Sequence, residues 1–361
     1  MASYQIYYRD PYGNLLDVWS EFSRLEYVRA ENEIGVMTLT LPRNVDKSIL
    51  RVDARMEIWR TVGANTKLVG NTVWFLEDWE INSQYMELTG YDANWILDGG
   101  IVDFNAGSTD ASCTSAAADD VMKQIVRNNI STATTTTGAG LYPYMSVDVD
   151  LTLAAESTKD FSRRNVLRVL QELAEESRER GTYLSFDVEY VDSSQLTFKT
   201  YTGQRGIDHG RASGNPVVLS ENFKSLEDAA YVEKHSAERT RVIAGGQGVE
   251  DQRMTESAED TVRSGRSPFG LRKLWADARM CSTSDSLYSE ALSELRAHQP
   301  EIKLKGKVVD TEGLQFGIHY DFGDIVVAEF EDLSFDAHVD TIHVTVQDGL
   351  ETLDNKITGY L

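Results

Sequence analysis

The chain has little with which to clamp a fold covalently: its 361 residues contain two cysteines, Cys113 and Cys281. So far apart in sequence, they read as two independent small thiols. A zinc site built on CxxC pairs is excluded by count. At this length neither clamp is needed, because two or three domains of roughly 100–200 residues each bury sizeable cores. Long apolar runs are missing too. None approaches the roughly 18 residues that span a bilayer, and the polar start MASYQIYYRDPYG has no signal-peptide core. Neither a membrane span nor classical secretion is expected. Positive charge is scarce: 35 Lys and Arg face 58 Asp and Glu, for a net charge of −23. Nonspecific binding to nucleic acid is disfavoured, since phosphate contacts need clustered cations.

Catalytic signatures are equally sparse. There is no GxxxxGKS/T loop, no GxSxG elbow, no HExxH and no CxxC. Gly245-Gly246-Gln247-Gly248 follows a strand-like stretch, but no apolar helix opens there, so it reads as a bend. His338 and His343, near Asp336 and Asp340, fall on opposite faces of a strand unless a bulge intervenes, and make a poor metal set. His209 and Ser213 share a loop with no ordering acid for a triad. No cofactor is expected, and the chain reads as a non-enzyme.

What the sequence does carry is strand texture. SYQIYYRD, FSRLEYVRA, VMTLTLP, ARMEIWRT, NTVWFLEDWEIN and QYMELTGYD are rich in β-branched and aromatic residues and are separated by Gly, Asn, Asp or Pro. Short strands at this spacing predict a barrel or sandwich, with Trp59, Trp74, Trp79 and Trp95 filling its interior or an interface. After Gly99-Gly100 the texture changes. The spacing predicts a helix over 114–130, an exposed loop over 131–140, and a clear helix over 163–180. In the last of these Val166, Val169, Leu170 and Leu173 form an apolar stripe that ends at Gly181. A hairpin follows, YLSFDVEYV and QLTFKTY about Asp192-Ser193-Ser194.

From about Asn215 strands return, interrupted by a polar stretch, GVEDQRMTESAEDTVRSGRSP, which reads as a long loop. A helix over 283–298 is capped by Ser282 or Thr283, stops before Pro300, and buries Leu287, Ala291, Leu292 and Leu295. In FDAHVDTIHVTV, Phe335, Ala337 and Val339 share one phase while Ile342, Val344 and Val346 share the other. A bulge or break near Asp340-Thr341 is predicted. The fold class is mainly β with an inserted α+β region: a β domain over 1–98, an insertion over 99–214, and a second β domain over 215–361 holding a helix at 282–299.

One charge run stands out. From Val308 to Asn355 there are twelve acidic residues, three histidines and no Lys or Arg. Glu329, Glu331, Asp332, Asp336, Asp340 and Asp348 fall mostly out of phase with the apolar positions and would line one sheet face. That face is a solvated surface, a channel lining or a partner surface. The convergent oxygens a calcium site requires are not in evidence from the spacing.

Three stretches carry a family resemblance. FLEDWEINSQYMELTGYDANWILD (75–98), with Gly90-Tyr91-Asp92 at its centre, resembles a signature of tail hub proteins from long-tailed bacteriophages. DFNAGS (103–108) continues it. YDFGDIV (320–326), with Gly323 and Asp324, is similar to a late strand start in those proteins, and the opening IGVMTLTLP also matches. The resemblance implies two tail-tube-like β-barrels in one chain with small inserted domains. Three copies would form a homotrimeric ring of six barrels at the tail tip of the virion, assembled in the host bacterial cytoplasm. Its partners would be a distal tail protein or tube above and a spike, fibre or receptor-binding protein below. Genomic DNA would pass the lumen unbound during ejection. Glu329, Glu331 and Asp336 are candidates for the lumen or a partner face. The chain ends at Leu361 soon after the second β region, so no fused wall hydrolase is expected. Other readings are a hub of a phage-like contractile injection particle and a carbohydrate-binding or glycan-cleaving β protein.

Overall fold

The computed structural model describes residues 2–102, 111–131, 142, 144–161, 163–248, 253–279, 281, 283–311 and 313–359. Alternation of apolar side chains builds most of its β structure. In the strand Ala2–Arg9, Tyr4, Ile6 and Tyr8 point inward; in Arg24–Ala30, Leu25, Tyr27 and Arg29 do; in Val36–Pro42, Met37, Leu39 and Leu41 do. Hydrogen bonds join these and later strands into one sheet. Its path runs Leu226–Lys234, Glu301–Val308, Lys356–Gly359, Leu333–Gln347, Arg24–Ala30, Val36–Pro42, Tyr85–Asp92, Trp74–Ile81, Ala54–Val62, Ala2–Arg9, Leu15–Trp19. The two ends of this path do not pair with each other among the described residues, so the ladder stays open.

The first and last β regions therefore form one continuous ladder. Arg24–Ala30 lies antiparallel to the far half of Leu333–Gln347, from Thr341 opposite Ala30 to Gln347 opposite Arg24. They also share one apolar core, in which Ile6, Leu25, Met37 and Leu88 pack with Phe335, Ile342, Val344 and Ile357. The fifteen-residue strand Leu333–Gln347 carries the expected phase slip. Phe335, Ala337 and Val339 are buried, Asp340 and Thr341 are both half-buried, and Ile342, Val344 and Val346 are buried again. Its pairing with Lys356–Gly359 shifts register between His338 and Thr341, as a bulge requires.

The middle of the chain packs two helices on a small sheet. Ala118–Asn129 and Val166–Glu179 place Val121, Ile125, Val169, Leu170 and Leu173 against Phe186, Val188 and Phe198 of the hairpin Leu184–Asp192 and Gln195–Thr202. Asn165 caps the second helix by accepting from the Arg168 N–H at 3.0 Å. The first helix starts later than its pattern suggested, because Ala111–Ala117 is a strand paired with Glu156–Phe161. Residues 132–140, most of the expected loop, and 103–108 lie outside the described residues.

A third unit sits in the segment expected to be a long loop. Thr255–Glu259 is a strand and Thr261–Ser264 a single helical turn capped by Asp260. With Arg241–Gly245 and Lys273–Asp277 the strand makes a three-stranded sheet that packs on the helix Ser284–Ala297. Local sequence did not announce TESAE as a strand; it is one because Val242 and Ala244 supply pairing partners at Ala258 and Glu256. Thr283 caps the helix in a reciprocal box with Ser286. Of the tryptophans, Trp74 is fully buried, whereas Trp79 is 39% exposed and so does not fill the interior.

Leu287 anchors this unit's small core at 0% exposure. Leu287→Ala is expected to cost about 2–5 kcal/mol locally. Limited proteolysis followed by mass spectrometry should then show new cuts within residues 241–297 and none in Ala2–Arg9 or Val36–Pro42.

Candidate functional site

Arg29 occupies an inward position of its strand and is 1% exposed, so every guanidinium hydrogen needs an acceptor. Its Nε donates to Asp92 Oδ2 at 3.0 Å, and its Nη2 donates to Asp187 Oδ1 at 2.7 Å and Oδ2 at 3.0 Å. Its Nη1 donates to the Gly70 carbonyl. Arg205 approaches Asp187 from the other side at 2.5 Å and reaches Glu189 at 3.3 Å. The two guanidiniums flank the Phe322 ring, at 5.0 and 4.9 Å from its centroid. One buried cluster thus gathers groups from the first β region, the insertion and the last β region. Burial pushes the Asp92 carboxyl up to about 6, against the pull of Arg29.

Both expected family motifs end in this cluster. Asp92 of Gly90-Tyr91-Asp92 is the acceptor for Arg29, and Tyr91 lies opposite Val36 and Phe75 in the ladder. Gly90 is needed for space, since a Cβ there would lie 2.7 Å from Met56 Cε and 3.0 Å from the Phe75 carbonyl oxygen. In the second motif Gly323 has φ +85°, and a Cβ would lie 2.7 Å from Arg205 Cβ. Asp324 is buried and accepts from the backbone N–H of Ile207 at 2.6 Å and of Asp321 at 2.7 Å. That clasp holds the 205–209 segment beside the Phe322 turn. Arg29, Asp187 and Arg205 were not singled out from sequence. The one available signal was the phase of Arg29, in step with Leu25 and Tyr27.

A second junction ties the first and last β regions. Arg60 is 6% exposed; it bonds Glu351 at 2.7 Å, Tyr4 Oη at 3.1 Å and Asp310 at 3.4 Å. A third surrounds Glu31, which accepts from Tyr183 Oη. The Tyr183 ring stacks on His338 at 4.5 Å and 15°, with Arg178 4.6 Å from the Tyr183 centroid. Burial pushes Glu31 up to about 7, with Asp340 raising it further and Tyr183, Arg178 and Arg205 lowering it. Burial lowers His338, and Arg178 adds to that shift.

The three acidic candidates share one hairpin, Ile325–Phe330 with Leu333–Gln347, but not one environment. Glu329 and Asp336 are half-buried on the same face, and Asp336 accepts from the Arg211 backbone N–H at 2.8 Å and its Nε at 3.3 Å. Glu331 is exposed at the turn. His343 bonds Glu26 at 2.8 Å, away from His338, and no group of metal-binding side chains gathers among the described residues. His209 Nδ1 lies 3.2 Å from the Asn215 carbonyl. A cleft of about 590 Å³ lies between Trp59, Lys67, Tyr190, Arg205, His319 and Phe322. No helix among the described residues is long and apolar enough to cross a membrane.

One ladder fuses the first and last β regions, and buried arginines hold an α+β insertion to both. Residues 4–356 match the Siphovirus ReqiPepy6 Gp37-like protein family, and the chain belongs to that family. Its fold is similar to a 43 kDa tail protein of prophage MuSo2 from Shewanella oneidensis, with TM-score 0.62, 11% identity, and 98% of each chain covered. It is similar also to prophage tail protein gp18 from Listeria monocytogenes, with TM-score 0.59, 11% identity, and 99% of this chain and 94% of that one covered. A tail protein from Neisseria meningitidis matches with TM-score 0.60 at 10% identity, covering 99% and 97% of the two chains. No curated protein matches the sequence.

The sign of the Glu31 effect follows from its raised folded pKa of about 7, above the ordinary 4.5. The folded state holds this proton more tightly, so the group favours folding below pH 4.5 and loses that contribution as pH rises through about 7. Glu31→Gln should therefore flatten the pH dependence of urea stability across that window. An unchanged slope would show that Glu31 does not titrate there.

Proposed function

We propose that the chain is a structural, non-catalytic component of a phage tail tip: a hub ring that joins the sixfold tail tube or distal tail protein to a threefold spike or fibre. The observation that carries this reading is the match of fold to prophage tail proteins along nearly the whole of both chains. In this reading the two β regions are tube-like barrel units over 1–98 and 215–361, and three copies place six of them around a channel. The fusion of both regions into one ladder supports it, because a ring under load during ejection needs its two units held rigidly. DNA passes without sticking, since a chain of net charge −23 repels phosphate within a Debye length of roughly 8 Å at physiological salt. Glu329 and Asp336 are the wall candidates, with Asp336 partly offset by Arg211; exposed Glu331 fits a partner face better.

A second setting has its own support. One chain of a Francisella PdpA–VgrG complex matches this fold with TM-score 0.55 and 10% identity over all of this chain and 58% of that one. A hub in a contractile injection particle would use the same ring. A glycan-binding protein would leave such whole-chain likeness without explanation.

Light scattering on the purified chain, with negative-stain images of the same peak, tests the reading. The expected result is a mass three times 40.4 kDa and threefold rings with a central hole. A monomer at all concentrations, with no ring, would count against it.

A further inference from the structure

The third unit carries a thirteen-residue run with four cations. Residues 261–273, TVRSGRSPFGLRK, hold Arg263, Arg266, Arg272 and Lys273 and no acid, within a chain of net charge −23. Neutralisation within the unit is incomplete. Arg263 pairs with Asp260 at 2.7 Å and with Glu238 at 3.6 Å, Arg266 and Arg272 reach the same Glu238 carboxylate at 2.8 and 3.1 Å, and Lys273 is exposed. Apolar side chains stand among these cations: Val262 is 83% exposed, Phe269 86%, Leu271 48% and Trp275 51%. The helix Ser284–Ala297 covers the sheet face that carries Val242, Ala244 and Ala276, so Lys273 and Trp275 of the strand Lys273–Asp277 face outward on the other. An apolar cluster of this kind, rimmed by charge, marks a protein contact.

The same chain carries the complement. The hairpin turn at Glu331-Asp332 is exposed, with Leu333 beside it at 38% exposure. Val218–Ser220 runs parallel to Val327–Glu329, which brings the following turn, Glu221 and 63%-exposed Phe223, to the same end of the sheet. Lys224 is the cation of that turn, against the carboxylates of Glu221, Glu331 and Asp332. A closed ring needs two different, mutually complementary patches on every copy. One is apolar and basic, the other apolar and acidic.

We infer that the 261–273 loop of one copy docks on the Phe223–Leu333 tip of the next copy, and that this contact closes the ring. The inference rests on the hub reading above and names its interface. Opposite charges at the rim would set the register and speed encounter, and would leave association sensitive to salt. Phe269 and Leu271 would supply the buried centre against Phe223 and Leu333.

Charge reversal tests it, read by light scattering over a concentration series with thermal melts as the folding control. Arg266→Glu with Lys273→Glu should weaken self-association at least tenfold, and Glu331→Lys with Asp332→Lys should do the same. All four substitutions in one chain should restore assembly, because both sides of the contact then change sign together. Phe269→Ser leaves the Glu238 cluster intact, so its loss of assembly would report the apolar contact alone. A ring that forms equally well in the wild type and in both charge-reversed chains would overturn this interface while leaving the hub reading in place. A combined variant that assembles worse than either parent would also overturn it. Absence of any self-association in the wild type would overturn both.

Discussion

The structure depends on one buried guanidinium. Arg29 draws its acceptors from Gly70 and Asp92 in the first β region and Asp187 in the insertion, while its face meets Phe322 of the last β region. A buried ion pair adds little net stability over well-packed apolar groups, because desolvation offsets attraction. What such a pair does well is fix geometry. Asp187 is shared with Arg205, and Arg205 packs against Gly323. The three regions therefore cannot shift relative to one another without stranding a buried charge. The ladder between Arg24–Ala30 and Leu333–Gln347 supplies the rigid backing, and the arginines orient the insertion on it.

Much of this was legible in the order of residues. β-Branched and aromatic composition between turn residues placed six strands of the first β region, though not Leu15–Trp19 or Asn65–Leu68. The apolar stripe at Val166–Leu173 placed a helix, and the change of phase across Asp340-Thr341 placed the bulge. Each is a local pattern imposed by burial on one face. What escaped notice was nonlocal. Thr255–Glu259 has no β-rich composition and becomes a strand through its partners. Arg29 and Asp187 were passed over because a charged residue in a strand is read as solvent-facing, although Arg29 kept the phase of Leu25 and Tyr27. The motif residues Asp92 and Asp324 were found by resemblance, and their work is structural: one receives a guanidinium, the other receives two backbone N–H groups.

The distribution of charge links the fold to its role. The acids of the last β region are divided between half-buried positions on one hairpin face, such as Glu329 and Asp336, and exposed turns such as Glu331-Asp332. One acid-free run of cations, residues 261–273, lies in the third unit, which has its own small core. In the proposed contact the cations of 261–273 and the acids of Glu331-Asp332 sit on separate elements, as head-to-tail docking requires. In the proposed ring, the central ladder would carry that contact from one copy to the next.

The most direct test of the central claim is hydrogen exchange on Arg29→Met. Removing the guanidinium leaves Asp92 and Asp187 facing each other in a buried site, at an expected cost of about 3–5 kcal/mol. Protection should fall together in Arg24–Ala30, Leu184–Asp192 and Leu333–Gln347, while the helix Ser284–Ala297 keeps its own. If exchange rises only in Arg24–Ala30, or not at all, the buried arginine does not hold the three regions together.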